Sequence, residues 1–304
     1  MKYEKVLVTG GTGFLGKRLR LIRPDWVYVG TSDCDLTDIR AVEQLFDDIN
    51  PDAIVHLAAY VGGIKRNATQ QVTFYETNIL INTNVLVCAR RKGISRVLSS
   101  LSTCAFPDVV DTYPYDAAAI YSGPPAKTNF TYGYTKRCLH VHSTACKQQL
   151  GYDYTTFVPS NLYGPNDNFD PDVSHFIPAL LRKIRATNSG DTIEMWGTGA
   201  PLRQHLYVDD LTHLIPRILE HHVSEEPLIV APPENLSIKE VCELAKDVLN
   251  VDRHFEFNGD LDGQFRKDGS CSELLKLFPD FSFTSLERGL RTTYEWYLTE
   301  RSTK

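Results

Sequence analysis

Long apolar runs are missing from this chain. No stretch of its 304 residues approaches the roughly 18 apolar residues that a membrane-spanning helix requires, so no membrane partner is expected. Charge of one sign is missing too. Lys and Arg number 32 against 38 Asp and Glu, for a formal net charge of -6, and the basic residues are scattered. A nucleic-acid backbone calls for a basic stripe, so DNA and RNA are not expected partners. Nor is there a C-x-x-C pair. The seven cysteines (Cys34, Cys88, Cys104, Cys138, Cys146, Cys242 and Cys271) are odd in number, which favours reduced thiols over a disulfide framework. A strand-like run already begins at Lys5, leaving no room for the basic segment and apolar core of a secretory signal. The expectation is a cytoplasmic globular protein. Its 42% hydrophobic content supports a core between one large domain and two ordinary ones.

What is present is a rhythm. The apolar, β-branched runs "KVLVTG", "VYVGT", "AIVHLA" and "RVLSSLS" alternate with helical-period stretches such as "DIRAVEQLFDDIN" and "NILINTNVLVCARRKG". That alternation predicts βαβ units around a parallel sheet buried on both faces. After "YTTFVPSNLYGP" the chain turns irregular, with a Gly/Pro/Asn/Asp loop, a helical "SHFIPALLRKIRA" and linkers such as "APPEN". The reading is one domain from residues 1–162 and 204–231, with a smaller α/β domain from 163–203 and 232–304 interleaved.

Directly after the first strand comes "TGGTGFLGKRL". Gly10, Gly13 and Gly16 are spaced three apart, and Gly11 also satisfies G-x-G-x-x-G, with Thr12, Phe14 and Leu15 completing the turn. A glycine-rich turn between strand and helix lets the backbone approach a pyrophosphate and places it at a positive helix N-terminus. The expected fold is therefore a Rossmann-type doubly wound parallel sheet binding a nicotinamide dinucleotide. The second strand ends in "GTSDCD", where Asp33 suits a ribose 2'-hydroxyl. That local signal favours NAD, although Lys17 and Arg18 either fold back onto a phosphate or are solvated.

Tyr132 and Lys136 lie four residues apart, on one face of a predicted helix. A phenol with a pKa near 10 serves as an acid/base more readily beside a cation that favours the phenolate. Ser102, at a strand end, can hold a substrate carbonyl oxygen while Tyr132 protonates it. These residues resemble the Ser-Tyr-Lys triad of the extended short-chain dehydrogenase/reductases. Cys104, two residues on, would overlook the same carbonyl. A thiolate there can remove an α-proton, because the donors that polarise the ketone also stabilise the enolate. His175 offers an acid to return the proton on the other face. For an isolated Cys or His, burial or a helix-end position is the better reading.

The stretches "SSLSTCAFPD", "PSNLYGPNDNFDPDVSHFIPALLRK", "EMWGTGAPLRQHLYVDDL", "GDLDGQFRKD" and "HLAAYVGGI" resemble the GDP-L-fucose synthase family through nearly the whole chain. The resemblance implies 3,5-epimerisation of a 4-keto GDP-sugar, with Cys104 as base and His175 as acid. Reduction at C4 by NADP(H) would follow, carried by Ser102, Tyr132 and Lys136. It further implies cofactor contacts from the glycine loop, Asp33, Leu57, Ala58, Ala59, Ser100, Leu101, Lys136, Pro159, Asn161, Leu162 and His175. Substrate contacts would come from Lys183, Trp196, Arg203, Asp262 and Lys267. A diphosphate needs cations, and an indole offers a face for stacking. Three departures stand out: Lys183 where some members have arginine, "PSNL" where "PTNL" is common, and Ser32 where a basic residue commonly helps to hold NADPH.

Cys138, His142 and Cys146 recur every four residues, but the outer thiols of such a row lie about 11 Å apart against the roughly 4 Å of zinc thiolates; no metal is expected. His221 and His222 read as a solvated helix end. By resemblance, the helix carrying Tyr132 and Lys136 would join its counterpart in a homodimer. Among rival activities, a 4,6-dehydratase wants a carboxylate where Thr103 and Cys104 stand, whereas a related epimerase or colitose-type synthase would keep this site. A non-catalytic cofactor sensor would typically have lost Tyr132 or Lys136; both are present.

Overall fold

The computed structural model describes residues 2–171, 173–259 and 262–302. The first half alternates as the pattern predicts: β1 (Val6–Thr9), α1 (Phe14–Ile22), β2 (Val27–Val29), α2 (Ile39–Ile49), β3 (Ala53–His56), α3 (Ile64–Thr69), α4 (Gln71–Arg91), β4 (Arg96–Ser100), α5 (Phe130–Leu150) and β5 (Asp153–Pro159). Then follow β6 (Asn161–Tyr163), α6 (Phe176–Ala186), β7 (Thr192–Met195), β8 (Leu202–Arg203), β9 (His205–Tyr207), α7 (Val208–His221), β10 (Leu228–Val230), β11 (Leu236–Ser237), α8 (Ile238–Leu249), β12 (His254–Phe257), α9 (Ser272–Leu277) and α10 (Leu286–Ser302).

Six strands form a parallel sheet in the order β10-β5-β4-β3-β1-β2. The period-two alternation of side chains divides each strand between two cores. Leu7, Ile54 and Val97 face one side, packed with Phe46, Val85, Leu86 and Leu139; Val6, Val8, Val55 and Leu98 face the other, packed with Leu19, Leu211, Leu214 and Ile218. Both faces are covered, so the strands read as unbroken apolar runs. The chain leaves β1 toward β2 on one side, and β3 lies on the other. That reversal opens a crevice beyond the carboxyl ends of β1 and β3, where doubly wound sheets bind nucleotides.

A third core gathers Tyr163, Leu180, Leu181, Ile193, Met195, Val241, Ala245 and Leu290 around α6, α8 and α10. Short pairings of β6 with β9 and of β7 with β12 organise this side. At the helix end, His221 is solvated as expected, whereas His222 is not. His222 is buried, and its carbonyl accepts from the wholly buried Arg96 guanidinium. Arg96 also donates to the Ile218 and Leu219 carbonyls, satisfying the free carbonyls at the end of α7. None of the seven cysteines is paired, and Cys146 belongs to the core beside α5. Among the described residues, no helix is long and apolar enough to cross a membrane.

Candidate active site

The glycine turn after β1 forms a backbone-lined cradle. Gly10 has a φ of 74°, in the left-handed region that side chains disfavour, and a Cβ there would lie 2.8 Å from the Ala58 nitrogen. At Gly16 a Cβ would lie 2.4 Å from the Gly10 oxygen, so α1 begins flush against the turn. Leu57, Ala58 and Ala59 follow β3 alongside, while Ser100 and Leu101 follow the line of β4 and Pro159 ends β5. These positions ring the carboxyl ends of adjacent strands. The residues fit a dinucleotide: without side chains at Gly10 and Gly16 the turn packs against the exit of β3 and the start of α1 packs against the turn, the close helix–strand packing that sets a helix N-terminus behind a pyrophosphate.

Next to the cradle, α5 lays its first turns against the exit of β4. Gly133 makes this approach possible, since a Cβ there would sit 2.3 Å from the Cys104 carbonyl oxygen. Four side chains meet as a result. Tyr132 brings its phenol to Ser102, and the Ser102 Oγ accepts from the Cys104 backbone N–H at 3.2 Å. Lys136 is buried and donates to the Ser100 carbonyl at 2.8 Å, its Nζ standing 5.8 Å from the Tyr132 ring centre. Tyr134 turns away, edge-on to Phe130 and beneath Arg137.

The electrostatics differ from the sequence expectation in one respect. Enclosure in the cleft wall pushes the Tyr132 phenol well above its usual value, with the Cys104 charge adding to this and the Ser102 hydrogen bond opposing it. Lys136 does not offset this; burial pulls its own pKa down to about 8. Spacing alone suggested a stabilised phenolate, but desolvation outweighs the cation. Tyr132 is thus a proton holder at neutral pH, as an acid must be.

Cys104 also lies within electrostatic reach of Lys136, Arg203 and Lys267. The last two belong to the other side of the cleft. They are brought in by Gln264, which is buried and donates through Nε2 to the Pro107 and Asp108 carbonyls at 3.0 and 2.9 Å. Arg203 in turn donates to the Gln264 carbonyl at 2.6 Å. His175 stands exposed at the N-terminus of α6, where its side chain makes no cap hydrogen bond. Surrounding protein and the charge of Lys267 lower its pKa, so Lys267 links the imidazole to the neighbourhood of the thiol.

Residues 6–231 match the NAD dependent epimerase/dehydratase family. A probable GDP-L-fucose synthase of Drosophila melanogaster is 37% identical, the alignment covering 97% of this chain and 97% of its own length. The GDP-L-fucose synthase of Dictyostelium discoideum is 36% identical over 96% of this chain and 95% of its length. The chain belongs to the GDP-L-fucose synthase family. A crystal structure of a GDP-L-fucose synthetase from Naegleria fowleri bound to NADP superposes with a TM-score of 0.88 at 34% identity, covering 99% of this chain and 94% of that one.

Against the pattern of the GDP-L-fucose synthase family, several outer positions have distinctive settings. Asp33 spends one carboxylate oxygen on the Gly30 backbone N–H at 2.7 Å. It braces the turn after β2. Arg18 is held by Asp209 through two hydrogen bonds of 2.8 and 2.7 Å rather than folded back over the cradle. Ser160 replaces the family's common threonine with its hydroxyl buried and without a partner, while Asn161 donates its amide to the Gln204 carbonyl and Leu162 packs on the sheet's core.

Trp196 is 70% exposed, free to stack. Asp262 instead clasps the neighbouring turn, accepting from the Thr198 N–H at 2.7 Å and hydroxyl at 2.8 Å. Lys183 donates to the Glu194 carbonyl and is not brought to the Cys104 cluster. Sequence reasoning missed Gln264, Asn129 and a buried chain in which His56 bridges Thr9 at 2.7 Å and Asn82 at 3.1 Å. Asn82 continues to the Thr135 carbonyl at 3.3 Å, tying the cradle strand to the helix of Tyr132 and Lys136. The placement of Asn129 three residues before Tyr132 was the one local signal available.

Proposed function

We propose that the protein is a GDP-L-fucose synthase that epimerises GDP-4-keto-6-deoxy-D-mannose at C3 and C5 and then reduces C4 with NADPH. One observation carries the reading: the Cys104 thiol shares its neighbourhood with the Ser102–Tyr132 hydroxyl pair and with Lys136, Arg203 and Lys267. A half-buried thiol of purely structural use has no need of three cations around it.

In this reading the two hydroxyls grip the C4 oxygen. The Cys104 thiolate takes the proton from C3 or C5: the C–H bond breaks, an S–H bond forms, and the electron pair moves to the C4 oxygen as an enolate. Protonated His175 returns a proton to the same carbon from the other face, inverting it, and both groups reset with solvent. Arg203 and Lys267 balance the diphosphate and the developing enolate charge, and Trp196 stacks on the nucleotide. The glycine cradle, Leu57 to Ala59, Ser100, Leu101, Lys136 and the Pro159 to Leu162 segment would hold NADPH, which would provide the hydride for C4. Tyr132 gives its phenolic proton to the C4 oxygen, and Lys136 orients the sugar beside it.

Mixing the protein with the keto sugar and either nicotinamide, while following the nicotinamide absorbance and the product, tests the reading. Stoichiometric NADPH loss with GDP-L-fucose formation is expected; cofactor binding without turnover would remove it. Because burial sets Lys136 at about 8 in the free protein, kcat/KM is expected to fall as pH rises above about 8, where the ammonium deprotonates. A flat profile from pH 7 to 10 would separate Lys136 from the reaction.

A cytoplasmic homodimer completes the proposal. Seven unpaired thiols suit a reducing compartment. The packed helices α4 and α5 leave Val72, Leu80 and Val141 at 67%, 45% and 52% exposure, apolar surface that a second copy would cover. Sedimentation is expected to return twice the chain mass, and Val141→Glu to reduce that toward the monomer.

A further inference from the structure

The residue at the start of α5 is of a type that caps helices, yet it does not cap this one. Asn129 occupies the N-cap position of α5 and makes no side-chain cap hydrogen bond, although asparagine ranks among the best residues for that task. Its carboxamide is turned the other way. The Nδ2 donates to the Cys104 sulfur at 2.7 Å, and the Oδ1 accepts from the Thr128 hydroxyl at 3.4 Å.

We infer that Asn129 is a positioning residue for the Cys104 sulfur, holding the thiolate toward the sugar carbons by an amide N–H bond; this rests on the synthase reading. Three contacts converge on the cysteine. Its backbone N–H is held by Ser102, its carbonyl lies against Gly133, and its sulfur is bonded by Asn129. The first two fix the backbone but leave the side-chain rotation free. Lys136, Arg203 and Lys267 act on the sulfur's charge without directing it. Among the described residues, Asn129 is the side chain whose hydrogen bond to the sulfur is observed, and a donor to an anionic acceptor is the stronger kind of hydrogen bond. An amide has a further advantage over a cation here. It cannot give the sulfur a proton, so the base stays available.

The test compares wild type, Asn129→Asp and Asn129→Ala. Asp keeps the shape while replacing the donor with an acceptor that repels the thiolate, and Ala removes the group. Two readouts are taken: deuterium entry at C3 and C5 of the keto sugar in D2O without NADPH, and the rate of Cys104 alkylation by iodoacetamide, located by peptide mapping. Both are expected to slow at least about tenfold in the Asp variant, the loss expected when a hydrogen bond to a charged group is removed, with a smaller loss in the Ala variant. NADPH affinity, measured by fluorescence titration, is expected to remain near wild type and reports an intact fold. Unchanged deuterium entry and alkylation in variants that still bind NADPH would overturn the inference. If the wild type itself exchanges no deuterium, the synthase reading fails, and the alkylation rates still decide whether Asn129 governs the sulfur. Should Asp disturb the helix start, as lost NADPH binding would reveal, the Ala variant decides by the same two rates.

Discussion

Cys104→Ser is expected to separate the two halves of the reaction. NADPH continues to be consumed, but the product is an unepimerised 6-deoxy sugar with the configuration of the substrate at C3 and C5. The reason is that the hydroxyl grip on C4 belongs to Ser102 and Tyr132, which do not depend on the sulfur, whereas proton removal needs a base at that point. A serine hydroxyl is not ionised near neutrality, so epimerisation is expected to fall by about 10²- to 10⁴-fold, the usual worth of a positioned acid/base. Product chromatography with NMR of the C3 and C5 protons reads the outcome. Retained production of GDP-L-fucose at wild-type rate would remove Cys104 from the mechanism.

Tyr132→Phe is expected to have the opposite signature. The ring remains in the cleft wall, but the proton for the C4 oxygen is gone, and NADPH oxidation is expected to fall by about 10²- to 10⁴-fold. Deuterium entry at C3 and C5 persists, slowed by loss of one of the two donors to the enolate oxygen. The loss is large because phenylalanine has no proton to give to the developing alkoxide. At neutral pH the group carries its proton almost entirely and so holds it ready for the C4 oxygen. A variant that reduces the ketone at an undiminished rate would show that the proton comes from elsewhere.

The two variants also mark what the sequence revealed and what it hid. The glycine turn, the Tyr132–Lys136 pair and the strand-end Ser102 were legible because each is a local pattern. Three-residue glycine spacing between strand and helix, or four-residue spacing on a helix, has geometric meaning before any tertiary contact forms. Residue type and a family resemblance then marked Cys104 and His175. Burial was not legible. Lys136 stands near Tyr132 as its spacing requires, yet desolvation governs the titration of both groups.

Long-range tethers were equally hidden. Lys267 reaches the Cys104 neighbourhood because Gln264 bonds two carbonyls just beyond that cysteine, across more than 150 residues of chain. Arg96 ties down His222, just past the end of α7, through a contact 126 residues away, while His221 stays solvated as its sequence suggests. Asp33, chosen for its charge, also serves the backbone of its own turn. Each of these depends on packing between segments whose separation in sequence carries no signal in a single chain.

The account's central claim is that one cleft performs both proton exchange at carbon and hydride-driven reduction, and a single reaction in D2O tests it most directly. Wild-type protein, the keto sugar and unlabelled NADPH are combined, and the GDP-sugar formed is analysed by NMR. The account predicts GDP-L-fucose carrying deuterium at C3 and C5 and ordinary hydrogen at C4. A reduced sugar that retains its original C3 and C5 hydrogens would contradict it.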